Sequence, residues 1–176
     1  MSFVLDETPG DGTCCICGNS YTYNGMTRHV KKCAVEHLAS DNAPEWLHIR
    51  LRSFDITLRP ARWLHVLANS AASLQQLDTY LREVWFGGGE KPSEFDIART
   101  IFANEPAELK NPKYPVEPMT PALGEVLRRG TELRYAYELE KCRSLVDGKI
   151  YGHLPRPRLL EEGVSPTPDI VGLACS

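Results

Sequence analysis

The stretch SLQQLDTYLREVWFGGG, residues 73–89, fixes one long element at the centre of the chain. Ser73, with Gln76 three residues on, forms a capping box, and Leu74, Leu77, Leu81 and Val84 recur at the spacing that places them on one face of a helix. Gly87, Gly88 and Gly89 then stop it, because glycine takes the left-handed conformation that closes helices. These glycines do not read as a phosphate loop: they follow a helix rather than a strand, and no Gly-Lys-Ser/Thr comes after them. They read as a turn.

Upstream, Trp46 to Leu58 alternates. Leu47, Ile49 and Leu51 fall on one face and His48, Arg50 and Arg52 on the other, and Phe54, Ile56 and Leu58 continue in the opposite phase, as a bulge or bend would require. Downstream, Ser93 to Phe102 fits helix and strand equally well, and Thr120-Pro121 opens a further helix that ends near Gly130. Leu133, Tyr135, Tyr137 and Leu139 alternate as a strand does, and Asp147-Gly148, between Ser-Leu-Val and Lys-Ile-Tyr, reads as a tight hairpin turn. The expected class is α+β: an antiparallel sheet packed on one main helix over residues 46–154, followed by a Pro/Gly-rich tail over residues 155–176.

Residues 13–36 form a second unit, after a flexible N-terminus expected over residues 1–12. TCCICGNSYTYNGMTRHVKKCA supplies Cys14, Cys17, His29 and Cys33 as C-x2-C, eleven residues, then H-x3-C. A two-residue gap lets a turn present two sulfurs together, and H-x3-C sets the second pair one helical turn apart, which suits a tetrahedral Zn2+ held by thiolates and imidazole. The pattern resembles the C2H2-type zinc finger in its variant with a final Cys, Tyr21 and Met26 standing where that finger keeps its two core residues. The connection between the pairs is one residue shorter than usual. Cys15 is the spare thiol. About 25 residues cannot bury a sufficient core, so the metal would supply the folding free energy, on the order of 10 kcal/mol or more. The bland alternative is a set of buried reduced cysteines. Four protein ligands leave no open position for catalytic water.

With 20 Lys+Arg against 23 Asp+Glu, the net charge of -3 excludes a generally basic nucleic-acid binder. The balance is local, however. Between residues 46 and 62, Arg50, Arg52, Arg59 and Arg62 face Asp55 alone, which reads either as the solvated outer face of a sheet or as a stripe for phosphates or a partner. Arg28, Lys31 and Lys32 on the finger's helix also suit phosphates. The finger's base-facing positions would be Thr22, Gly25 and Arg28, and a glycine in that trio reads nothing. No run approaches eighteen apolar residues and no signal peptide is evident, so a cytosolic setting with reduced thiols is expected.

For an enzyme, a nucleophile with its base or a recognisable carboxylate pair is missing. His37, His48, His65 and His153 read as isolated, Asp78 and Glu83 fall on different helical faces, and the tryptophans with Tyr135 and Tyr137 read as core.

The segment WLHVLANSAASLQQLDTYLREVWFGGGEKPSEFDI, residues 63–97, resembles the Ri-plasmid open-reading-frame-three-like family, whose members are often labelled insertion-element passenger proteins. The likeness lies in the tryptophan-led strand, the Ser-Leu-x-x-Leu-Asp-x-x-Leu-Arg-x-x-Trp helix and the Ser-x-Phe after it. A second block, Gly130 followed by LRYAYELEKCRSLV, is similar to the family's Gly-x-x-hydrophobic-Tyr-x-Tyr-Asp-Phe-Gly segment through Tyr135 and Tyr137. The resemblance implies an α+β domain, a mobile-element context, and in some relatives an N-terminal finger. The chain departs from it where relatives with a finger carry Glu-Cys-Cys-Gly-His and this chain has Gly87-Gly88-Gly89-Glu90-Lys91. It departs again at Tyr137-Glu138-Leu139-Glu140, and at the terminal Cys pair, reduced here to Cys175. The family is largely without an assigned activity. The functional expectation is a non-enzymatic zinc-finger protein of a bacterial mobile-element or defence-type system that contacts nucleic acid or a nucleoprotein assembly. A protein-binding adaptor is the alternative, and an unrecognised hydrolase stands behind both.

Overall fold

The computed structural model describes residues 10–38, 46–53, 62–106, 112–138, 144–154 and 170–175. The strand phase change expected at Phe54–Leu58, Cys142, and residues 155–169 of the expected tail lie outside them.

The main helix, α2 (Leu74–Phe86), forms as its sequence dictates. The Ser73 hydroxyl accepts from the Gln76 N–H, the Gln76 side chain accepts from the Ser73 N–H, and Gly87 closes the helix at φ 67°. Leu74, Leu77 and Leu81 are fully buried, each stabilising the fold by roughly 2 kcal/mol relative to exposure.

Among the described residues the strands join one sheet in the order β2-β1-β10-β4-β3-β9-β8-β5-β6-β7, every pair antiparallel except β6 with β7. They are β1 (Gly12–Cys14), β2 (Ser20–Tyr21), β3 (Trp46–Ser53), β4 (Trp63–Asn69), β5 (Ser93–Ile97), β6 (Thr100–Ala103), β7 (Val116–Pro118), β8 (Glu132–Tyr137), β9 (Ser144–Leu154) and β10 (Ile170–Cys175). The expected α+β class, an antiparallel sheet on one main helix, is what forms.

One face of this sheet carries Leu47, Ile49 and Leu51 of β3, Leu64, Val66 and Ala68 of β4, and Phe95, Leu133 and Tyr135, all packed against α2. The short helix α3 (Leu123–Val126) adds Leu123 to that core. It starts later than Thr120-Pro121 suggested. The reason is that the carbonyls of Met119 and Pro121 accept from the Gln75 and Leu74 N–H groups, which holds that segment against the start of α2.

The opposite face of β3 and β4 is not a solvated one. There Trp46, Trp63 and Leu67 pack with Met26, Val30 and Cys33 of α1 (Tyr23–Leu38) and with Cys14 of β1. Helix α1 therefore covers that face, while the hairpin β1–β2 continues the sheet at its edge through β10, which pairs with β1 on one side and β4 on the other. The tail expected over residues 155–176 thus ends in a strand.

Two turn readings change. Asp147-Gly148 is not a hairpin: β9 runs straight through it, Gly148 pairing with Leu51 on one side and Leu133 on the other, because reversal there would break two ladders at once. Ser93 to Phe102 resolves as the β5–β6 hairpin, turning at Ala98-Arg99.

Candidate metal centre

Cys14 ends β1 and Cys17 lies in the turn that follows, closed by the Gly18 N–H donating to the Cys14 carbonyl at 2.8 Å and the Cys14 N–H to Asn19 at 2.9 Å. That turn needs Gly18 at φ 75°. Thr22 caps α1 through its hydroxyl, which accepts from the Gly25 N–H, and the helix then carries His29 and Cys33 one turn apart on its inner side.

The four donor atoms of Cys14, Cys17, His29 and Cys33 all lie within 4.8 Å of one another. Cys14 Sγ is 4.0 Å from Cys33 Sγ, and Cys17 Sγ is 3.2 Å from His29 Nε2. Tetrahedral binding by thiolates at about 2.3 Å and imidazole at about 2.0 Å would space the donors about 3.5–3.8 Å apart, so small adjustments bring this set onto one ion. The Tyr21 ring stacks on His29 at 4.1 Å and orients the imidazole, while Met26 is fully buried beneath; these are the two finger-core residues the sequence picked out. Cys15, the spare thiol, is exposed and outside the group.

The electrostatics fit a cation. The Asn19 backbone N–H at its sulfur lowers the Cys17 thiol pKa, against burial. Burial, followed by the neighbouring Cys14, pushes Cys33 up to about 12. A thiolate at Cys33 therefore needs positive charge beside it, which a divalent metal supplies.

No family model matches the chain, and no curated protein does. Among solved structures, a protein of unknown function from Methanosarcina mazei Go1 is similar, 16% identical with a TM-score of 0.51 over 70% of this chain and 67% of that one. The likeness is one of fold. No helix among the described residues is long and apolar enough to cross a membrane.

The five basic residues singled out in the sequence fall into two groups. Arg50 and Arg52 project from β3 towards α1, lying 4.9 and 5.7 Å from the Tyr23 ring centroid, and Arg50 Nη1 donates to Thr27 Oγ1 at 3.1 Å. Lys31, the next turn of that helix flank, is near enough to weigh on the ionisation of His48, as Arg50 does. Burial, and Arg52 beside it, lower the Arg50 guanidinium from its ordinary value, opposed by Tyr23. Arg28 and Lys32 instead occupy the outer, exposed side of α1, where Lys32 sits 3.7 Å from Glu36.

Two buried clusters escaped the sequence reading. His48 and His65, read there as isolated, are both fully buried with His48 Nε2 2.9 Å from His65 Nδ1, and burial holds both well down, to about 3, so they are neutral at physiological pH. On the other face Asp78 Oδ1 accepts from Ser93 Oγ and Tyr135 Oη, each at 2.6 Å, while Oδ2 accepts from Arg82 Nε at 2.7 Å. Arg82 goes on to donate to Ser93 Oγ and the Gly89 carbonyl. Burial first, and then Asp78, raise the Tyr135 hydroxyl pKa, which keeps it a donor. The i,i+4 spacing of Asp78 and Arg82 was the available signal for that network; nothing local marks the histidine pair.

Proposed function

We propose that this chain is a zinc-held, non-enzymatic binding protein that contacts nucleic-acid phosphates along the seam between α1 and β3. Three thiolates and one imidazole are zinc's usual structural donor set, and four protein ligands close the site to water. The observation that carries the binding reading is the Arg50–Thr27 hydrogen bond. It ties β3 to α1 and, with Tyr23 beneath both arginines, sets Arg50 and Arg52 beside Lys31, a grouping of positive charge in a chain whose total is negative. Arg28 and Lys32, around the same helix, extend it. Reading of base sequence is not part of the proposal, since Gly25 offers no side chain. A mobile-element setting rests on the family resemblance of residues 63–97 and of the block after Gly130 alone.

Elemental analysis should find one zinc per chain. Binding of labelled duplex and single-stranded oligonucleotides across a salt series should then show log Kd changing with log salt at a slope of about 3 to 4, for three to five neutralised phosphates. Arg52→Gln should weaken binding on all sequences alike and lower the slope by about 1. A weak response that is flat in salt would sink this reading in favour of a protein-binding adaptor.

A further inference from the structure

We infer that the metal centre latches α1 onto the sheet as a clasp, so that metal loss frees α1 and uncovers the Trp46–Trp63 face of β3 and β4 while the α2 core stays folded. The inference rests on the metal-centre reading above and goes beyond it to how the molecule comes apart.

Two of the four candidate ligands are also packing residues here. Cys14 and Cys33 belong to the apolar cluster that also contains Met26, Val30, Trp46, Trp63 and Leu67, so the donors can separate only if that cluster loosens. Beside that cluster α1 meets the sheet through polar and aromatic contacts, among them the Arg50–Thr27 hydrogen bond, the stacking of Arg50 and Arg52 on Tyr23, and the edge of Tyr23 against Trp63 at 5.8 Å. The helix has little stability of its own, with Gly25 in its first turn, β-branched Thr27 and Val30 behind it, and no acidic residue to favour its N-terminus.

The layer also carries unfavourable burial. Trp46 Nε1 and His65 Nε2 are buried with no hydrogen-bond partner among the described residues, and two neutral histidines sit where water would solvate them better. The α2 side differs on each count. Its core contains no metal ligand, its helix is capped at both ends, and its buried Asp78 is satisfied by Arg82, Ser93 and Tyr135. No residue of α1 belongs to that core.

The tryptophans report on the two layers separately, since Trp46 and Trp63 lie under α1 whereas Trp85 packs on the α2 core. The test uses the full zinc-loaded chain treated with excess of a strong chelator, with released zinc followed colorimetrically. In the Trp85→Phe variant, emission should shift to the red and acrylamide quenching should rise several-fold on zinc release. In the unsubstituted chain, hydrogen exchange should accelerate at least 100-fold at α1 amides and less than threefold at α2, β5 and β8, and added zinc should reverse both changes. Zinc release that leaves α1 protected would overturn the clasp by showing that packing alone holds the helix. Parallel loss of protection in α2 would overturn it by showing one cooperative unit. A chain that binds no zinc at all would refute the metal centre itself, which elemental analysis before chelation distinguishes from both.

Discussion

A carboxylate with no exposed surface is costly unless every lone pair it offers is used, and Asp78 meets that condition through Arg82, Ser93, Tyr135 and the Gln75 amide. Removing one partner is then worse than never having the pair, because the other charge stays buried. Asp78→Asn, which leaves the Arg82 guanidinium without its counter-charge, should cost about 3–5 kcal/mol, and Tyr135→Phe about 1–2 kcal/mol, both read from the urea midpoint. Equal and small losses in the two variants would show that the network is not carrying buried charge. One of these partners, Arg82, was within reach of sequence reasoning, since it lies four residues from Asp78 on the same helix. Tyr135, 57 residues on, was not, and was read only as core. Cys14, Cys17, His29 and Cys33 were legible for the opposite reason: metal-ligand spacing is short-range and written in consecutive residues.

Among the elements, the two turns of the C-terminal half invert what their residues suggest. Asp147-Gly148 is a strong hairpin dipeptide, yet it lies inside β9, where strands on both sides pair with it. Ala98-Arg99 carries no turn signal, yet both residues sit at positive φ, 49° and 66°, in the two-residue connection of β5 and β6. Left-handed backbone costs an ordinary L-residue roughly 1–2 kcal/mol, and the mirror-image turns of tight hairpins favour Asn-Gly for that reason. The double substitution Ala98→Asn/Arg99→Gly should therefore stabilise the protein by about 1–2 kcal/mol, seen as a raised thermal midpoint at unchanged circular dichroism. A lowered midpoint would mean that the side chains of Ala98 or Arg99 make contacts worth more than the strain. The helix α2 was legible to its caps because its signals are local; the ambiguity at Ser93–Phe102 arose because the β5–β6 turn is enforced by pairing rather than by its own residues.

At the scale of the molecule, the two faces of β3 and β4 respond differently to acid. His48 and His65 lie under α1 with pKa values lowered to about 3, chiefly by burial, and face Lys31, Arg50 and the rings of Tyr23 and Trp63. A histidine whose folded pKa lies below its free value near 6.5 binds protons only after exposure. Its stabilising contribution is whole above about pH 6.5 and is lost progressively as the pH falls towards 3. At pH 5 the loss is about 2 kcal/mol for each ring. Residues released from a metal would also take up protons, so the pair is read as a difference: between pH 6.5 and 5, wild-type stability should fall more steeply than that of a His48→Gln/His65→Gln variant, by close to two protons. Parallel slopes would show that these rings are not buried neutral.

The amino-acid sequence by itself determined the Cys/His quartet of the candidate metal centre, the capped helix α2, the alternating strands and the α+β class. Each is specified by residues within a turn or two of one another, where backbone geometry alone brings side chains together. Tertiary structure decided the rest. It placed β10, from the expected tail, between the first hairpin and β4, and laid α1 across the face of β3 that alternation had left open to solvent. It also made a buried pair of two histidines 17 residues apart. Alternation records which residues share a face, but not what covers that face. That depends on contacts between distant segments, whose free energy is settled only when the whole sheet has formed.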